Sequence, residues 1–486
     1  MTLCPGIAPG IAPGIARRDL GGAGLARPHR GGQERGGAGN NPWGKSPMRD
    51  VLGPNTVLGY CTNVHAGADL ARMMANLRQH ALAVKRRISP ASPMGVGLWM
   101  SAQAAREILA RKQVGRLRDE LLGWGLIPFT FNGFPYGDFH EPVVKHRVYE
   151  PDWAHSDRLG YSLNLAVILA ELLETDPGAA RTHPRNASDS GAQSGRGHSG
   201  AHSGVNSGVH SGVHSGGGGG GEGGISTLPI GWPGAPCRPV DLAAAAHNLR
   251  HWAREAARIE AETGILIHLD LEPEPGCILQ RAADVICFFH EYLLPGLSGG
   301  DEALVRRHIR ICHDICHAAV MFESSQAVFS AYATAGIGVG KVQISSAVAV
   351  DFSTLPPEQR VAAVQALHQF NEPRYLHQTT VRRPDGTLLE YADLSAALAA
   401  QPPQGQWRIH FHVPLFLGRL GGLATTQAEI RPCLAAARAS GVPHFEVETY
   451  AWSVLPAELR PADLSAGIAR ELQWVVNPPP PGDQCR

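Results

Sequence analysis

The chain has 486 residues, 43 of them basic and 43 acidic, so its formal net charge is zero. That balance argues against nucleic acid or an acidic membrane surface as a partner, and no apolar run approaches the roughly 18 residues of a membrane span. Nine Cys without a repeated pair spacing fit a reducing compartment. No signal-peptide pattern opens the chain, so the expected location is the cytoplasm.

Gly 57 and Pro 37 exceed ordinary usage, and much of the glycine is concentrated in two stretches. Residues 1–55 open with three Pro-Gly-Ile-Ala units and continue Gly- and Arg-rich. They carry no hydrophobic period and are expected to be a disordered tail. Residues 176–224 hold Ser-Gly-Val-His units and a glycine run, which cannot bury enough apolar surface to offset the entropy of ordering. The Pro-rich residues 478–486 are a C-terminal tail, which leaves 56–477 as the folded body.

Within that body strands and helices alternate. Apolar runs at 57–65, 94–99, 127–132 and 225–230 predict four strands, and those at 265–272, 309–314, 340–345 and 444–449 predict four more. Helical spacing covers 68–88, 102–123, 156–173, 240–263, 279–294, 425–440 and 461–476. The loop 133–140 after the third strand is aromatic and turn-rich, the composition of a binding loop. Residues 374–381 and 388–391 flank Pro384-Asp-Gly-Thr and predict an antiparallel hairpin inserted before the eighth strand, with 407–413 as a further strand. Eight successive βα units predict a closed (β/α)8 TIM barrel. No Gly-rich phosphate turn follows the first strand, which sets an open dinucleotide-binding sheet aside.

Barrels of this kind gather reactive groups at the C-terminal ends of their strands. There the chain places His65, Asn132, Glu272, Asp314 with His317, Gln343 and Glu448. The oxygen donors Glu272, Asp314, Gln343 and Glu448 come from four neighbouring strands and suit Mn²⁺, Mg²⁺ or Zn²⁺. Each has a plainer reading: a solvated loop acid for Glu272, a helix cap for Asp314, a packed imidazole for His317, a hydrogen-bonded amide for Gln343. Glu446 and Glu448 share a face, and Glu448 is nearer the rim. His410 and His412 also share a face, as a metal or substrate contact. His268 and Asp270 lie deeper. Cys312 and Cys316 do not make a structural zinc pair.

With those residues in place the chain resembles the xylose isomerase-like (sugar phosphate isomerase/epimerase-like) barrels, which also include endonuclease IV-type enzymes. The resemblance implies a divalent metal held by Glu272, Asp314, Gln343 and Glu448, with Glu272 and Glu448 also moving the substrate proton. His317 completes the Asp-x-x-His of the sixth strand. Leu58-Gly-Tyr-Cys-Thr-Asn-Val-His65, Phe131-Asn-Gly-Phe-Pro-Tyr-Gly137, Val148-Tyr-Glu-Pro-Asp-Trp153, Leu271-Glu-Pro-Glu-Pro275, His410-Phe-His-Val-Pro414 and Val447-Glu-Thr-Tyr450 are more closely similar to EboE-type metabolite traffic proteins. That likeness implies a cytoplasmic protein that handles a small metabolite bound for export beside other proteins of the same pathway. His65, Asn132, Phe134 and Tyr136 are the expected substrate contacts. The expected activity is that of a metal-dependent isomerase or epimerase. A non-catalytic carrier using the same pocket and a phosphodiester hydrolase are the alternatives.

Overall fold

A computed structural model describes residues 46, 48–174, 221–234, 236–400 and 403–478. The expected disorder of 1–45, of most of the Gly/Ser/His insert and of 479–486 lies outside the described residues. The last part of the expected tail is ordered after all. Met48 and Leu52 are buried, Met48 O accepts from Leu58 N at 2.8 Å, and Arg49 bridges Val57 antiparallel.

Seven parallel strands lead the barrel: β1 (Val57–Tyr60), β2 (Met94–Trp99), β3 (Leu126–Asn132), β4 (Glu222–Thr227), β5 (Leu266–Leu271), β6 (Ile309–Asp314) and β7 (Val339–Ile344). Six short strands follow, β8 (Val348–Asp351), β9 (Thr379–Arg382), β10 (Leu388–Tyr391), β11 (Gln406–Ile409), β12 (Arg419–Leu420) and β13 (Leu423–Thr425), and β14 (His444–Val447) completes the set. The eight-stranded sheet runs β1-β14-β7-β6-β5-β4-β3-β2. A parallel bridge from Cys61 to Gly97 joins its two ends, so the sheet closes as the (β/α)8 reading predicts. Strands buried on both faces explain the uninterrupted apolar runs.

Three boundaries move. β4 begins at Glu222, inside the stretch that composition assigns to the insert, and it ends at Thr227 instead of 230. The helix expected over 102–123 is two, Ala102–Ala110 and Val114–Gly123. Lys112 between them has φ 52°. Lys112 N and Gln113 N donate back to Leu109 O and Ile108 O, the pattern of a Schellman stop. The predicted hairpin β9–β10 belongs to a larger body, an antiparallel sheet ordered β10-β9-β11-β8-β13-β12. β11 pairs with β8 and β9 in that sheet. Beyond Ile409 the chain leaves it, with His410 N donating to Gln378 O at 2.8 Å and Val413 N to Ser346 O at 3.0 Å.

The barrel interior is polar at two levels. Lys341, fully buried, lies 3.0 Å from Glu446 Oε2 and donates to Ser226 Oγ at 3.2 Å; Thr130 Oγ1 donates to Glu446 Oε1. Elsewhere inside, His268 Nδ1 bonds Asp270 Oδ1 at 2.7 Å. Glycine makes the room. A Cβ at Gly97 would stand 2.3 Å from the Glu446 carboxylate, and one at Gly340 2.2 Å from Asp270 Oδ1.

Candidate metal centre at the barrel mouth

Glu272 is the first residue beyond β5, its N–H donating to Thr227 O at 3.0 Å. Glu448 is the first beyond β14, its N–H donating to Ile344 O at 3.1 Å. Asp314 closes β6 and caps the helix Ile315–Val320. These three buried carboxylates each present an oxygen within 4.8 Å of the others. Asp314 does its capping with one oxygen only: Oδ1 accepts from His317 N at 2.8 Å and from Ser345 Oγ at 2.9 Å, while Oδ2 has no hydrogen-bond partner. Glu448 Oε1 accepts from Asn63 and Asn132 amides, each at 2.8 Å.

Three imidazoles complete the mouth. His317 Nδ1 donates to Pro273 O at 3.0 Å and His412 Nδ1 to Glu448 O at 2.6 Å. His410 Nδ1 donates to Gln378 Oε1 at 2.7 Å. The Gln378 amide is oriented by its own donation to Glu274 Oε1 at 2.9 Å and to Tyr149 OH at 3.0 Å. Each ring therefore carries its proton on Nδ1 and turns a bare Nε2 lone pair inward. The Nε2 atoms of His317 and His410 face each other at 3.2 Å, and the Tyr450 hydroxyl stands 3.4 Å from His410 Nε2. Burial holds His317 down at about 4 and His410 well below its ordinary range, so a shared proton is disfavoured. A bound cation would relieve the repulsion of the two lone pairs, and His317 and His410 are residues that could contact it.

The carboxylates make the same demand. Burial, then Glu448 and Asp314, push the Glu272 carboxyl well above the usual carboxylate range. Burial raises Glu448 to about 7 against the pull of His412. Burial would also raise Asp314, but His317, His412 and its two hydrogen bonds hold it below its ordinary value. Glu272 Oε2, Asp314 Oδ2, His412 Nε2 and both amide atoms of Gln343 are buried without partners. Carboxylate oxygens and imidazole nitrogens left bare together, in a water-poor site, are a donor set that fits a divalent metal. Gln343 is in register with Asp314 on one side and Glu446 on the other, one strand from the cluster.

A narrow cavity of about 60 Å³ opens above them, lined among others by Asn63, Asn132, Phe134, Glu272, Glu274, His317, His412 and Glu448. Two of the four expected substrate contacts, His65 and Tyr136, are not in that lining, and neither are Asp314, Gln343 and His410. His65 lies behind a short 3₁₀ turn, Thr62–Val64, bonded to Tyr60 OH at 3.1 Å and stacked on His80; the turn brings Asn63 to the site in its place. Tyr136 packs edge-on to Tyr161 and accepts from Arg106 on the outer side of its loop. Conversely, sequence reasoning passed over Glu274, grouped with His317 and His410 and bonded by Tyr149 OH at 2.8 Å. Cys316 belongs with His410 and His412, and Cys312 is not in that group.

No family model and no curated protein matches the chain. Among solved structures it is similar to the 3-keto-D-glucoside 4-epimerase YcjR of E. coli, at 11% identity over 86% of this chain and 98% of that one, TM-score 0.36. It is similar to the probable 3-DHS dehydratase AsbF of Bacillus anthracis, at 9% identity over 87% and 99%, TM-score 0.39. A third is the IOLI protein with a bound zinc atom, at 10% identity over 86% and 97%, TM-score 0.38. These scores are low, and the barrel stands on its own strand order.

Proposed function

We propose that this barrel is a divalent-metal-dependent isomerase or epimerase acting on a small keto or hydroxy metabolite. The observation that carries the reading is the convergence of three carboxylates and three bare imidazole nitrogens, several without any partner, at the C-terminal mouth. Glu272, Asp314, Gln343 and Glu448 are the proposed ligands of one ion; His317, His410 and His412 contact a second ion or the substrate. The oxygen set suits Mn²⁺ or Mg²⁺, and the imidazoles favour Zn²⁺. A metal bound there supplies Lewis-acid polarisation of a substrate carbonyl.

The chain's own residues supply the rest. Glu272 or Glu448 takes the proton beside the carbonyl and the other returns one, a role suited to carboxyls that burial has already raised. Asn63 and Asn132 fix the Glu448 carboxylate by its Oε1, and Phe134 walls the pocket. The only basic residue in the lining, Lys145, is paired with Asp393, which weighs against a phosphodiester backbone as the substrate. The motif likeness to EboE-type proteins supports a metabolite destined for export, handled in the cytoplasm alongside the other proteins of that pathway.

The test joins elemental analysis of the purified protein with deuterium exchange from solvent into candidate α-hydroxyketones. Bound Mn or Zn, and exchange lost in both Glu272→Gln and Glu448→Gln, is the expected result. A protein that neither carries nor takes up a divalent ion ends the proposal.

A further inference from the structure

The apolar and aromatic part of the cavity lining offers a ligand almost nothing polar. Phe134, Phe139, Val148, Tyr375, Leu376 and Tyr450 line that part of the cavity. Phe139, Tyr375 and Tyr450 pack on one another with ring centroids 5.0 to 5.2 Å apart. Their polar atoms are already engaged: Tyr375 OH donates to Phe139 O at 3.2 Å, and Tyr450 OH reaches the His410 ring at 3.4 Å. Tyr149 OH is spent on Glu274 and Lys145 Nζ on Asp393. The unpartnered polar atoms of the lining are instead Asn63 Oδ1, Glu272 Oε2 and His412 Nε2, which belong to the metal cluster and its neighbour.

Resting on the metal-centre reading above, we infer that the ligand of this site is amphipathic, with adjacent oxygens at one end and an apolar, ring-bearing body at the other, and is not a free polyol. A polyol's remaining hydroxyls would lose water against the rings without finding donors or acceptors, which costs binding free energy for each one. A flat apolar body instead meets ring faces and edges. The cavity of about 60 Å³ has room for the oxygen-bearing end, with the body against the ring cluster.

Two α-hydroxyketones separate the possibilities, since both present the same adjacent carbonyl and hydroxyl: 2-hydroxyacetophenone, which continues as a phenyl ring, and L-erythrulose, which continues as a hydroxylated chain. Each is titrated calorimetrically into the full chain, with metal content measured on the same sample. The phenyl compound is expected to bind at least about tenfold more tightly. Val148 is only partly buried, and Val148→Asp should weaken binding of the phenyl compound and remove that preference. Equal or tighter binding of erythrulose overturns the inference, as does binding of neither compound. A preference for the phenyl compound in protein that holds no metal sinks the metal centre instead and leaves the amphipathic pocket standing, so the two failures are distinguishable.

Discussion

Two buried charge clusters share one barrel and are built on opposite plans. In the interior, Lys341 and Glu446 pair at 3.0 Å, with Ser226 and Thr130 as hydrogen-bond partners: one positive charge answers one negative. At the mouth, Glu272, Asp314 and Glu448 crowd together, and Lys145, the one Lys or Arg in the cavity lining, is paired with Asp393 and not with them. Two of the neighbouring imidazoles, His317 and His410, are held below their ordinary range by burial. The interior pair is complete as folded and contributes to holding the barrel's shape. The mouth is left electrostatically unfinished, and the atoms left bare there are those that would ligate a metal. Buried charge alone therefore does not mark a site; several acids and imidazoles buried together without a counter-charge do.

The sharpest way to break this contrast is to unbalance the interior. Lys341→Met leaves Glu446 buried and unpaired and should cost about 3–5 kcal/mol of stability in a denaturant titration, with Lys341→Met/Glu446→Gln recovering most of it. A single variant as stable as the parent would mean the interior pair is not the balanced unit described. At the mouth, Asp314→Asn keeps the Oδ1 that caps the helix and replaces the bare Oδ2 with an NH₂ group. It should leave the melting temperature of metal-free protein near that of the parent while lowering metal affinity by about 100-fold or more, read by competition against a chelating dye. Retained affinity would remove Asp314 from the ligand set. Withdrawing metal from the parent should destabilise it by about 2.7 kcal/mol relative to protein held at a hundredfold excess over Kd. An unchanged melting curve after chelation would place the mouth in the same class as the interior.

Metal uptake should also release protons, because burial raises Glu448 to about 7 and pushes Glu272 well above its ordinary range; a weakly buffered calorimetric titration at pH 6 measures this. The last test concerns Glu471, a buried acid outside the cavity lining. Burial raises it to about 8, with Thr449 Oγ1 donating to it at 2.6 Å and Leu415 N at 3.1 Å. The folded state then keeps a proton that the unfolded chain gives up near the ordinary glutamate value. Stability should fall as pH rises from about 4 to about 8 and level off above that. Glu471→Gln should flatten this part of the profile, and an unaltered urea midpoint difference between pH 5 and pH 8 would rule the group out as its source.

The barrel was legible because a parallel strand buried on both faces is a continuous apolar run that a helix of similar length rarely imitates. β4 was displaced because it opens Glu222-Gly-Gly, which composition assigns to the glycine tract. Those glycines have a packing reason: a Cβ at Gly224 would meet Asp270 and His268 at 2.7 Å. Asp314, Glu272 and Glu448 could be picked out as polar ends of apolar runs, and His410 with His412 by alternation. Glu274 could not, since it sits in a Pro-Glu-Pro loop with no period, and its partners Tyr149 and Gln378 are 125 and 104 residues away. His65 and Asn63 exchanged places because a single 3₁₀ turn changes which side chain faces the mouth, and nothing in Thr62-Asn-Val announces that turn.

The bare backbone at Gly97 and Gly340 has a consequence for how this chain can change over generations. Each glycine is the mould for a polar side chain on another strand, Glu446 in one case and Asp270 with His268 in the other. Neither half can drift alone: a methyl group at position 97 collides with a carboxylate already anchored by Thr130 and Lys341, while a shorter side chain at 446 strands the lysine. Among descendants of this sequence, positions 97 and 446, and likewise 340 and 270, should therefore be inherited or replaced in step, which makes the barrel's inside a better lineage marker than its surface.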